Sequence, residues 1–212
     1  MNTSEPTGGT GLSGDGSGNG EESGGIQADP GTKPQRVNLE KLANRIRSLA
    51  ENVRMRKIAL DQVAIQVCHI EQVLGTVPLP LPPAAPNLPE LAGSLAGALK
   101  GTGNLALAEL MVIRAMNLDF DQDGMQRWSE VSLAGLGEIW DAMGRHKEAA
   151  SALRQAVRLS QERLRPEGIV FALLYQWAAS CMDAEDFETA AIVYDRAMDM
   201  KSIDPDAYAR WW

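Results

Sequence analysis

The chain has 212 residues, 44% of them apolar and 23% charged, with a formal net charge of −8. That balance supports a core but excludes a general nucleic-acid binder, because no sustained basic face exists to release counterions. No apolar run reaches the roughly eighteen residues a bilayer span needs, and the opening MNTSEPTGGTG lacks a secretory apolar stretch; no membrane association is expected, and cytoplasm is the expected location. Ala, Leu, Met, Glu, Gln and Arg dominate the second half, which points to an all-α protein.

Residues 1–36 hold half of the chain's 20 glycines, with five acids against Lys33 and Arg36. Such a segment has too little apolar surface to offset its ordering entropy, so a disordered acidic Gly/Ser-rich tail is expected. Residues 37–75 change character. Leu39, Leu42, Ile46, Leu49, Val53, Arg56, Leu60, Val63, Val67, Ile70 and Leu74 alternate at spacings of three and four. All but Arg56 are apolar, which predicts one heptad-repeat helix about 55 Å long. Its stripe is expected to be hidden by self-association into a homo-oligomeric coiled coil. Docking onto the chain's own helices is the alternative, because Ala43, Ala50 and Ala64 widen the apolar face. Cys68, in this segment, and Cys181, far from it, are both expected as buried thiols.

Residues 76–89, TVPLPLPPAAPNLP, contain six prolines and no charge, and predict a semi-rigid linker. From residue 90 to 212 the sequence repeats. Ala108, Ala149 and Ala190 stand 41 apart, followed at fixed offsets by Val112, Leu153 and Tyr194 and by Ala115, Ala156 and Ala197. Gly103, Gly144 and Glu185 precede each alanine by five residues. Small residues let two antiparallel helices approach, large ones fill the space beside them, and glycine permits the turn between.

At these positions the chain resembles the tetratricopeptide repeats (TPR), most fully in LAGLGEIWDAMGRHKEAASALRQAV. There Leu133, Leu136, Gly137, Trp140, Gly144, Ala149, Leu153 and Ala156 fall on the family's signature positions in order. The period is similar to the 41–42-residue variety of kinesin light chains and bacterial adaptors. The resemblance implies a helical-hairpin solenoid of about three repeats, preceded by the long heptad helix. It also implies a non-catalytic adaptor that binds a peptide or protein segment in a groove lined by the first helix of each pair. Counting along the register, the groove positions are Glu138, Asp141, Tyr175, Ala179 and Met182, whose mixture of acids with apolar side chains suits a basic or amphipathic ligand.

The stretch Asp119–Glu130, DFDQDGMQRWSE, matches the calcium-loop pattern D-x-[DN]-x-[DN]-G-x₅-E. Asp119, Asp121, Asp123 and Glu130 would supply carboxylates and Met125 its backbone carbonyl. Against this, Gln126 and Arg127 depart from the pattern and no second loop exists to pair with it. A calcium-responsive regulator and a passive acidic connector between two helices both remain open, and no other cofactor is expected. A secretion-chaperone-like holder of an export substrate is a further alternative. Catalysis has little support: His69 and His146 are the only histidines, and no nucleophile elbow, P-loop or dinucleotide fingerprint is present.

Overall fold

The computed structural model describes residues 38–81, 87–119 and 129–203, with side chains through Met200. Eight helices follow in order among them: α1 Leu39–Arg54, α2 Leu60–Gly75, α3 Leu88–Gly101, α4 Leu105–Leu118, α5 Glu130–Ala142, α6 His146–Glu162, α7 Glu167–Asp183 and α8 Phe187–Ile203. The described residues are helices and their connections, with no helix long and apolar enough to cross a membrane. The acidic tail and the end segment DPDAYARWW lie outside the described residues.

Helix starts follow local chemistry. Asn38, Asn87 and Ser129 each accept, through the side chain, the backbone N–H three residues on. The Glu90 carboxylate in turn accepts from Asn87 Nδ2 at 2.7 Å. Five helix ends, those of α1, α3, α5, α6 and α7, follow one rule. Arg56, Gly103, Gly144, Leu164 and Glu185 all have positive φ, between 50° and 80°. Each stands two positions past the end of its helix, and the next residue donates its N–H to the carbonyl five residues back, as Arg145 does to Trp140 at 2.8 Å. This is the Schellman turn. At Arg56, Leu164 and Glu185 it is made without the glycine that would relieve the left-handed strain.

These turns fold α3 on α4, α5 on α6 and α7 on α8, and α7 also packs along α6. Ala108, Ala149 and Ala190 are fully buried, as are Leu153 and Ala156. The 41-residue spacing is therefore the spacing of equivalent contacts. At Gly137 the fit is tightest: a Cβ built there would come within 2.7 Å of Leu153 Cγ.

The segment 37–75 departs from the single long helix expected. It is two helices of 16 residues each, broken at Met55–Ala59. Arg56, the one charged residue of the heptad stripe, occupies the left-handed position in that break, and Leu60 is 63% exposed beside it. The physical reason is length. Helix α3 has 14 residues, about 21 Å, and a 55 Å helix would carry half of its stripe past it into water. Instead α1 packs on α3 and α2 on α4 and α1. Leu42, Ile46, Leu49, Val53, Val63, Val67, Ile70 and Leu74 are all buried in one cluster with the core of the repeats. Arg54 Nη2 donates to Ser94 Oγ at 2.7 Å, and Arg114 pairs with Glu71, tying each helix to its neighbour. Apart from Arg56 and Leu60, the stripe is thus packed within the chain, as the docking alternative expects. Val77 and Leu81, at the start of the proline linker, also lie against this core, and Leu88 and Pro89 belong to α3. Cys181 is buried as expected, whereas Cys68 is exposed on α2.

Replacing Gly137 by Ala should lower stability by about 1 kcal/mol, the overpacking cost exceeding the gain in helix propensity. In a Leu153→Ala background the same substitution should be neutral or stabilising, because the added methyl then has room. A denaturant double-mutant cycle measures the difference.

Candidate partner-binding site

A cleft of about 650 Å³ opens between α3, the end of α4 and α5. Its α3 wall is Gly93, Ser94 and Gly97, between Glu90 and Lys100, all on one face at helical spacing. Its α5 wall is Val131, Gly135 and Ile139, and Val112 and Asp119 close the α4 side. A Cβ added at Gly93, Gly97 or Gly135 would meet nothing within 4 Å. The register explains the opening: Gly93 and Gly97 correspond, 41 residues on, to Ala134 and Glu138, so the first hairpin lacks side chains that the second carries. A volume of this size, apolar with a few polar groups, is in the range of ligand-binding clefts.

A line of polar contacts crosses the first helices of the hairpins. Lys100 of α3 pairs with Glu138 of α5, which also accepts from Gln176 Nε2 of α7 at 3.1 Å. Asp141 of α5 accepts from Ser180 of α7 and lies 3.1 Å from His146 Nδ1. Behind it, Glu109 Oε1 accepts from both Trp140 Nε1 at 2.6 Å and Arg145 at 2.7 Å. The Arg145 guanidinium also stacks 5.0 Å from the Trp140 ring centre, so α4, α5 and the turn into α6 meet at one residue trio.

The expected groove positions divide accordingly. Glu138 and Asp141 lie at the α5–α7 junction with their carboxylates engaged. Tyr175 stacks edge-on against Tyr194 of α8 at 5.5 Å and near Phe171 at 6.2 Å, while Ala179 is half-buried and Met182 exposed. The cleft residues Gly93, Ser94 and Gly97 were not among the expected positions. Their signal was the i, i+4 glycine pair inside an otherwise apolar helix, where glycine costs stability.

No protein-family model and no curated protein sequence matches the chain. Among solved structures, it is similar to a variant of a Podosopora anserina protein described as a kinesin light chain with nearly identical TPR-like repeats. The match has 18% identity and a TM-score of 0.53, and covers 74% of this chain and 75% of that one. The chain has a TPR-like repeat fold. A second crystal structure described in the same words, also from Podosopora anserina, aligns over 77% of this chain and 95% of its own at 15% identity and a TM-score of 0.46, and no argument rests on it.

Within this TPR-like solenoid, the stretch 119–130 bridges the first and second hairpins. Asp121, Asp123 and Met125 lie outside the described residues. Asp119 is half-buried at the end of α4. Glu130 opens α5 with only 4% of its surface exposed. Its two oxygens accept from Arg163 and Arg165 at 2.5 Å each, so the start of α5 is pinned to the turn after α6. Among the described residues no cluster of three or more His, Cys, Asp or Glu side chains is arranged to hold a metal. Burial alone would raise the Glu130 carboxyl, but its own backbone N–H and the two guanidiniums outweigh that and hold it below the usual carboxylate value.

A carboxylate with a lowered folded pKa stabilises the fold above its unfolded value, and that contribution disappears as pH falls through the folded one. Glu130→Gln should therefore cost about 1 kcal/mol near neutral pH, discounted because both arginines are partly in water. Urea melts of the two proteins should converge as pH drops below the ordinary carboxylate value of 4.5.

Proposed function

We propose that the chain is a non-catalytic adaptor that holds a segment of a partner protein in the cleft between α3 and α5. TPR-like repeat folds are typical of protein–protein interaction scaffolds. What supports the cleft as the place is its glycine wall, where the first hairpin leaves open the positions that the second fills. Val112, Val131 and Ile139 offer apolar contact, while Glu90 and Asp119 supply negative charge near it. Lys100 is balanced by Glu138. The segment that suits this lining is amphipathic and carries at least one cation. On this reading residues 37–75 are part of the repeat body rather than an oligomerisation arm. Calcium held in the 119–130 loop would have to draw Glu130 away from two arginines, which is why a calcium-responsive role is not adopted.

Peptides selected against the whole protein from a random library test the proposal. Gly93→Leu and Gly97→Leu should fill the cleft and weaken those peptides about tenfold or more, a loss of about 1.4 kcal/mol. Their thermal stability should be unchanged or higher, since leucine is the better helix former and each Cβ has open space. Selected peptides that bind both variants as well as the native protein would place the binding surface elsewhere.

A further inference from the structure

We propose that the pocket at the turn between α1 and α2 is a second binding site, which takes a partner segment with a large apolar side chain next to a carboxylate. The pocket holds about 360 Å³ and lies between that turn and the one joining α3 to α4. Val53 and Val63, both buried, form its floor, and Ile58 and Leu60 its apolar rim. Leu60 keeps 63% of its surface in water, so the pocket is too open to engulf a small molecule and suits one side chain of a longer segment. Among the described lining residues Arg56 alone is charged, with Thr102 and Asn104 as its polar neighbours.

The sign of the occupant follows from the charges around the pocket. Residues 38–57 carry six cations against Glu40 and Glu51, in a chain whose net charge is −8. Arg56 and Lys57 are exposed, and among the described residues neither is in an ion pair. The nearest acids in sequence, Glu51 and Asp61, are themselves in water. Asn104 turns its amide to Thr102 Oγ1, at 2.9 Å, instead of capping α4, and α2 begins at Ala59, which has no side-chain acceptor. The guanidinium therefore acts beside two helix starts, each with the positive end of its dipole uncapped. An apolar body next to a negative charge matches both halves of this lining. Arg56 also holds a left-handed position that glycine fills at Gly103 and Gly144, so the turn itself needs no side chain there. The α3–α5 cleft takes the opposite sign, and the two sites succeed or fail independently.

The test uses the full chain and a short labelled peptide with one phenylalanine among glutamates. Two controls accompany it: the same peptide with serine in place of phenylalanine, and with lysines in place of glutamates. Fluorescence anisotropy at physiological salt should show the acidic phenylalanine peptide binding at least about tenfold more tightly than either control. Arg56→Gly should remove about tenfold of that affinity while thermal stability stays level or rises, because glycine suits the left-handed position better. Leu60→Ser and Lys57→Glu, both at exposed positions, should each weaken binding severalfold, and Gly97→Leu should leave it unchanged. Affinity no better than that of the serine control, or undiminished in Arg56→Gly, overturns the proposal. So does displacement of the peptide by a tighter-binding single-stranded oligonucleotide or by decanoate, which assigns the pocket to nucleic acid or to a free fatty acid. A dimer dissociated by Lys57→Glu assigns it to a second copy and overturns it likewise.

Discussion

A single hydrogen-bonded turn sets the geometry on which the rest depends. In α1, α3, α5, α6 and α7 the residue two past the helix turns left-handed, and its successor's N–H reaches back to the carbonyl five residues before. Because the turn is short and always of one hand, the next helix leaves in a defined direction. The alanines at 108, 149 and 190 then face their opposing helices, and Gly137 lies against Leu153. Helices α2 and α4 end differently, at Thr76 and Asp119. The connection from α4 to α5 is also longer than that from α6 to α7, and α4 and α5 border the cleft. The repeat is tight where the turn is tight and open where it is not.

The sequence carried the repeat clearly because its interval is a contact interval. An alanine every 41 residues has a physical cause wherever two helices must approach, and the third hairpin keeps the pattern even with Glu185 in place of glycine. The heptad stripe of 37–75 was equally clear as a stripe and misleading as a length. Spacings of three and four report only that one helix face is buried, whether against another chain or the same one. Arg56 was the local clue: a charge in an apolar seam marks the point where the helix stops.

The site was less legible, for reasons that lie in particular residues. Glu138 and Asp141 have the composition of ligand-binding acids, but Lys100, Gln176 and Ser180 are brought to them only by stacking the hairpins, and His146 by the turn between α5 and α6. Likewise Glu130 reads as the last residue of an ion loop until Arg163 and Arg165 are placed over it from the far end of α6. The glycines of α3 acquire meaning only as missing side chains in a cleft.

Helices α1 and α2 share one core with the hairpins rather than standing apart as a coiled-coil arm. Native-state hydrogen exchange on the full chain measures this directly. Amides of Ile46, Leu49, Val67 and Ile70 should be protected to the same opening free energy as those of Leu95, Leu99 and Met111, whatever the protein concentration. Exchange of the first group at nearly unprotected rates, or protection that grows with concentration while the second group stays fixed, would contradict it.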